Sequence, residues 1–136
     1  MIEPVLALIV WSMVMLVWLY ARRLPSLIHY ATTEERLETG EAVRRLPPSV
    51  QWPADNYNNL MEQPTLFYAV CIGIYATGKT SFDVEYFAWL YVALRILHSL
   101  VQATVNITII RFGLFIASSA VLCFLSLAAI RLVFNF

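Results

Sequence analysis

Arg95-Ile96-Leu97-His98-Ser99-Leu100-Val101-Gln102 is the stretch that decides the fold. It lies within Tyr86 to Val105, twenty residues in which only Arg95, His98 and Gln102 are strongly polar. In a helix these three stand at i, i+3 and i+7 and share one face. An arginine at the centre of a membrane helix costs about 2.5–3.5 kcal/mol on insertion scales. It is tolerated where it faces protein or water and finds a partner. The stretch therefore predicts a membrane helix inside a bundle, with a polar face that is a candidate functional surface. The plain alternative is an ion pair that only holds helices together.

The composition extends this reading to the whole chain. Of its 136 residues, 60% are hydrophobic, and the mean hydropathy is +0.70, more apolar surface than a soluble domain of this size can hide. We expect an all-α integral membrane four-helix bundle occupying residues 1–136 as a single domain. The net charge is zero, so nucleic acid is not an expected partner, and the lipid bilayer is. Cys71 and Cys123 fall inside apolar runs and read as small buried hydrophobes. The sequence has no metal-ligand cluster, phosphate-binding glycine loop or nucleophile elbow, and no internal repeat.

The spans are expected at about 4–21, 58–78, 83–105 and 111–134. The first, Pro4 to Ala21, makes roughly 27 Å of helix, about one hydrocarbon thickness. Pro4 suits a first helical turn. No basic residue precedes this span and Arg22-Arg23 follow it, so it is not expected to be a cleavable signal. Residues 22–55 form the long polar loop. There Thr32 with Glu35 suggests a capping box, Glu41 and Arg45 an i, i+4 pair, and Pro47-Pro48 a stop. In the second span Asp55, Asn59 and Glu62 share a face, and Pro64 is expected to kink the helix. Asp83 and Glu85 fit the first turn of the third span. Ala117-Ser118-Ser119-Ala120 in the fourth permits close helix packing. Arg22, Arg23, Arg36, Arg44, Arg45 and Arg111 all fall on one side of such a bundle. The positive-inside rule then makes 22–55 a cytoplasmic loop and both termini non-cytoplasmic. The compact loops suggest a bacterial inner membrane.

Depth brings the polar residues together. Glu62 lies seven residues beyond Asp55, roughly 10 Å into its helix; His98 and Arg95 lie roughly 12 and 16 Å deep from the same side. Arg111 stands at that side's mouth. Glu62 is expected to neutralise Arg95, which leaves a second arginine and a histidine. Surplus positive charge at membrane depth invites an anionic amphipathic ligand or a thiolate.

On these residues the chain resembles the membrane-associated proteins of eicosanoid and glutathione metabolism (MAPEG). The resemblance runs over nearly the whole chain. It is carried by Asn59-Leu-Met-Glu62-Gln-Pro64-Thr-Leu-Phe67 and by Arg95-x-x-His98 with Arg111 sixteen residues after Arg95. The spacing is similar to that of the microsomal prostaglandin E synthase and microsomal glutathione transferase branches. The resemblance implies a homotrimer with glutathione bound between subunits on the cytoplasmic side. It implies Asn59, Glu62, Arg95, His98 and Gln102 as the residues that hold glutathione, and Arg111 as the catalytic residue that stabilises its thiolate. The activity implied is a glutathione-dependent transferase or peroxidase acting on a lipophilic electrophile. The chain departs from the family pattern at Asp55 and Asn58, where arginines are usual, at Gln102, where a tyrosine is, and at Phe112 after Arg111. Fewer cations weaken the hold on an anionic tripeptide. A non-catalytic lipid-binding or scaffold protein of the same fold is therefore the alternative. A small exporter using Glu62 as a proton relay is a third class.

Overall fold

The computed structural model describes residues 1–32 and 46–135, the side chains of residues 30–32 excepted. The described residues are all-α, in five helices: α1 (Ile2–Thr32), α2 (Pro48–Glu62), α3 (Pro64–Ala76), α4 (Phe82–Thr104) and α5 (Thr108–Phe134). Segments Ile2–His29, Phe82–Thr104 and Thr108–Phe134 are long and apolar enough to cross a membrane. The last two fall where the hydropathy placed them.

The first helix does not stop at Ala21. It passes Arg22, Arg23 and Pro25 and ends at Thr32. Arginine is a good helix former, so the end of the apolar run is not the end of the helix. Pro25 removes one ladder bond without breaking it, and Ser26 Oγ donates to the Arg22 carbonyl at 3.2 Å in the same turn. At the far end of the expected loop, Pro48 opens α2, at a helical position that suits proline. Residues 22–55 are thus helical at both ends. The Thr32–Glu35 capping box and the Glu41–Arg45 pair lie outside the described residues.

The second apolar segment is broken as Pro64 predicts. Helix α2 ends at Glu62 and α3 starts at Pro64, with Gln63 between them. Helix α3 has 13 residues. It is followed by Gly78, whose φ of 68° is left-handed and suits glycine. Ser81 then caps α4, its Oγ accepting from the Val84 N–H at 3.4 Å, with Asp83 and Glu85 in the first turn.

Helix α4 is the centre of the bundle and packs against α1, α2 and α5. Its buried face starts apolar with Val84, Ala88, Tyr91 and Val92 and turns polar with Arg95, His98, Ser99 and Gln102. Helix α1, which packs against α2, α3 and α4, buries Val5, Leu8, Ser12, Met15 and Leu19, a stripe at three- and four-residue spacing. The opposite face of α1 and most of α5 are exposed and apolar, including Val10, Val17, Ile109, Phe112, Phe124 and Phe134. That is the surface expected of helices in hydrocarbon. Lys79 ties the bundle's other end: its Nζ donates to the carbonyls of Leu132 and Val133 at 3.3 and 2.9 Å and to Asn135 Oδ1 at 3.3 Å. This caps the negative end of α5.

Candidate functional site

The polar half of α4 meets α2 through amide and hydroxyl side chains. Asn56 Nδ2 donates to Ser99 Oγ at 2.6 Å, and Asn59 Nδ2 to Gln102 Oε1 at 2.9 Å. Deeper, Gln63 Oε1 accepts from Arg95 Nη2. Gln63 Nε2 donates across to Ser119 Oγ on α5 at 2.6 Å. Arg95 Nε donates to Tyr91 Oη at 3.0 Å, one turn back on α4. Gln63 therefore joins the α2–α3 break to both α4 and α5.

Arg95 is 1% exposed, and among the described residues no carboxylate pairs with it. Its charge rests on two neutral oxygens and two ring faces. The Cζ atom lies 5.5 Å from the Tyr91 ring centroid and 5.3 Å from that of Phe115, within cation–π range. Its Nη1 is buried with no hydrogen-bond partner. The expected Glu62–Arg95 ion pair is not formed. Glu62 is exposed, and its neighbour Gln63 reaches the guanidinium instead. Adjacent helical residues point about 100° apart, so one residue decides which side chain faces α4.

Next to this network lies a cleft of about 250 Å³ lined by Asn59, His98, Thr108, Arg111, Phe112 and Phe115. It brings together three predicted site residues, Asn59, His98 and Arg111. Gln102 adjoins it through its bond to Asn59, and Arg95 lies behind Phe115. Glu62 is not among the lining residues. His98 is 3% exposed, and its ring lies 6.2 Å from that of Phe115.

Arg111 is positioned by the α4–α5 connection. Asn106 has a φ of 48°, a left-handed conformation that asparagine tolerates better than most residues. Its N–H closes α4 on the Val101 carbonyl at 2.7 Å. Its Oδ1 accepts from Arg111 Nη1 at 2.7 Å. No side chain caps the start of α5. The uncapped N–H groups and a guanidinium thus stand at the same helix end, an arrangement that favours an anion.

The MAPEG family model matches residues 1–131. The chain belongs to the MAPEG family. No curated protein and no solved structure matches it significantly. The matched residues 1–131 include the whole of this polar face.

Sequence reading missed Gln63, Asn106, Ser99 and Ser119 as parts of this polar network. Asn106 carried a signal, since asparagine between two helices is a common left-handed C-cap. Gln63 carried one in its place before Pro64, where the helix was expected to part. The serines carried none, because serine is common in membrane helices for packing alone.

Proposed function

We propose that the protein is a membrane-bound glutathione-dependent transferase or peroxidase acting on lipophilic electrophiles. The observation that carries this reading is the cleft of Asn59, His98 and Arg111 beside a buried Arg95 whose Nη1 lacks a partner. The donor set fits an anionic peptide thiol. Two guanidiniums and the open N-terminus of α5 favour negative charge, and Asn59 and Gln102 offer amides. Bound there, glutathione supplies a sulfur nucleophile. A thiol of pKa about 8.5 ionises more readily beside a cation, and a guanidinium cannot lose its own charge. Arg111, held by Asn106, is the residue placed to do this. Asn59 and Gln102 orient polar groups, and Arg95 offsets negative charge from behind. Phe112 and Phe115 exclude water and offer an apolar wall to a co-substrate drawn from the lipid.

The assembly and topology follow the same reading. The α2–α3 pair acts as a fourth, broken span, so the four spans form one domain. Exposed Glu62 stands at membrane depth and needs covering, which favours the homotrimer. The arginine distribution favours an inner-membrane protein with both termini non-cytoplasmic and residues 22–55 in the cytoplasm. A second reading, a lipid-binding or scaffold protein, is favoured by Asp55: an exposed carboxylate close to the cleft opposes an anionic peptide. Calorimetric titration of the detergent-purified protein with glutathione separates the two. Saturable binding below millimolar supports the enzyme, and no heat at millimolar supports the scaffold.

A further inference from the structure

The end of the bundle opposite Arg111 carries a cleft of about 260 Å³ between the start of α4 and the end of α5. It is lined by Ser81, Asp83, Ala128, Arg131 and Leu132. Arg131 stands twenty residues after Arg111 on α5, about 30 Å along the axis and so one hydrocarbon thickness away. The cleft therefore lies at headgroup level. Asp83 and Arg131 are exposed, and among the described residues neither side chain has a hydrogen bond or an ion pair. One anion and one cation thus line the same cleft without neutralising each other. Ser81 Oγ accepts from the Val84 N–H at 3.4 Å, which engages its oxygen and leaves its O–H to donate.

One turn deeper on each helix the surface becomes aromatic. Phe87 and Phe124 stack across the seam of α4 and α5, their ring centroids 6.0 Å apart. Phe87 follows Asp83 by four residues and Phe124 precedes Ala128 by four. Each ring therefore lies on the face of its helix that lines the cleft. Phe124 is exposed. Tyr86 packs edge-on against Phe87 at 5.7 Å and stacks on Phe82 at 6.3 Å. The result is a charged mouth at the interface over an apolar aromatic strip, the layering of a phospholipid itself.

We infer that this cleft seats a phospholipid carrying a primary ammonium, of the phosphatidylethanolamine class. Arg131 and the Ser81 hydroxyl donate to the phosphate, Asp83 accepts from the ammonium, and an acyl chain runs over Phe87 and Phe124. Charge complementarity carries the choice of lipid. A phosphatidylglycerol head offers Asp83 no cation. A phosphatidylcholine head offers a cation with no N–H to donate. A primary ammonium makes a charge-assisted hydrogen bond. The site is at the other end of the bundle from the cleft of Asn59, His98 and Arg111, and it does not depend on any thiol chemistry there.

The test is native mass spectrometry of the delipidated full-length protein in detergent. Phosphatidylethanolamine, phosphatidylcholine and phosphatidylglycerol with the same two oleoyl chains are titrated in separately. The unmodified protein is expected to bind phosphatidylethanolamine about fivefold more tightly than either of the others, the upper range for an exposed charge pair. Asp83→Asn is expected to lose that preference, and Arg131→Gln to weaken binding of all three lipids. Both side chains are exposed, and a melting curve confirms that each variant folds. Equal binding of the three lipids by the unmodified protein overturns the inference, as does a preference undiminished in Asp83→Asn. Glycerophosphoethanolamine, which lacks the chains, is expected not to bind; if it binds as tightly as the lipid, the aromatic strip plays no part and the lipid assignment falls. A subunit count that drops in Asp83→Asn without lipid would mean that a second copy covers the cleft, and also overturns it.

Discussion

Gln63 Oε1 accepts a hydrogen bond from the buried guanidinium of Arg95, and among the described residues no carboxylate stands in its place. A cation enclosed by Tyr91, Phe115 and a carboxamide keeps a net charge that an ion-paired one does not. The same carboxamide grips Ser119, so the position of Arg95 is tied to the spacing of α2 and α5.

Removing that carboxamide is expected to be costly. Gln63→Leu takes a hydrogen bond from a buried charged group, worth about 1.5–3 kcal/mol. Gln63→Glu restores an acceptor and adds a countercharge, and is expected to match or exceed the unmodified protein. Glu62→Gln touches an exposed side chain and is expected to shift stability by less than Gln63→Leu. Unfolding of the three variants in mixed micelles reads this. A larger loss for Glu62→Gln than for Gln63→Leu would restore the pairing expected from sequence.

Lys79 offers a check at the opposite end of the bundle. Lys79→Ala removes three donated bonds from the C-terminus of α5 and is expected to cost about 1–2 kcal/mol. Proteolysis or hydrogen exchange near Leu132 should rise in the variant, while ligand binding at the other end stays unchanged. An unaltered exchange rate there would mean that the cap is idle.

Much of the fold was legible because membrane helices announce themselves by length and hydropathy. Segments 83–105 and 111–134 fell almost on α4 and α5. The first helix overran because Arg22 and Arg23 mark a polarity boundary without favouring a helix stop. The start of α2 was hidden because Pro47-Pro48 reads equally as an end or as a beginning. Within the site, i, i+3 and i+7 spacing put Arg95, His98 and Gln102 on one face, and the structure buries all three. Spacing could not choose between Glu62 and Gln63 as the partner of Arg95. One step along a helix turns a side chain by about 100°, and the break at Pro64 sets which of the two faces α4.

Asn106 is expected to act through Arg111. Asn106→Gly keeps the left-handed φ and removes the amide that holds the guanidinium. It is expected to leave the melting temperature nearly unchanged and to weaken glutathione binding by up to about tenfold, or 1.4 kcal/mol. Asn106→Ala adds backbone strain and should lower stability as well. If Asn106→Gly binds as tightly as the unmodified protein, Arg111 does not depend on this tether.

Topology can be read in cells. A reporter enzyme that folds only outside the cytoplasm, fused after Phe136, is expected to be active, because the arginine-rich side is the opposite one. A fluorescent reporter that matures only inside should stay dark at the same site. The reverse pattern would place residues 22–55 and Arg111 outside and remove access to cytoplasmic glutathione.

The most direct measurement is thiolate absorbance in the ultraviolet as glutathione is added to the purified protein, with turnover of a chromogenic lipophilic electrophile followed alongside. The unmodified protein is expected to show a saturable thiolate band and turnover. Arg111→Ala is expected to stay folded with both lost, and Arg111→Lys to keep part of the band, since lysine keeps the charge without the planar fork. A folded, unmodified protein with neither band nor turnover at millimolar glutathione would contradict the account.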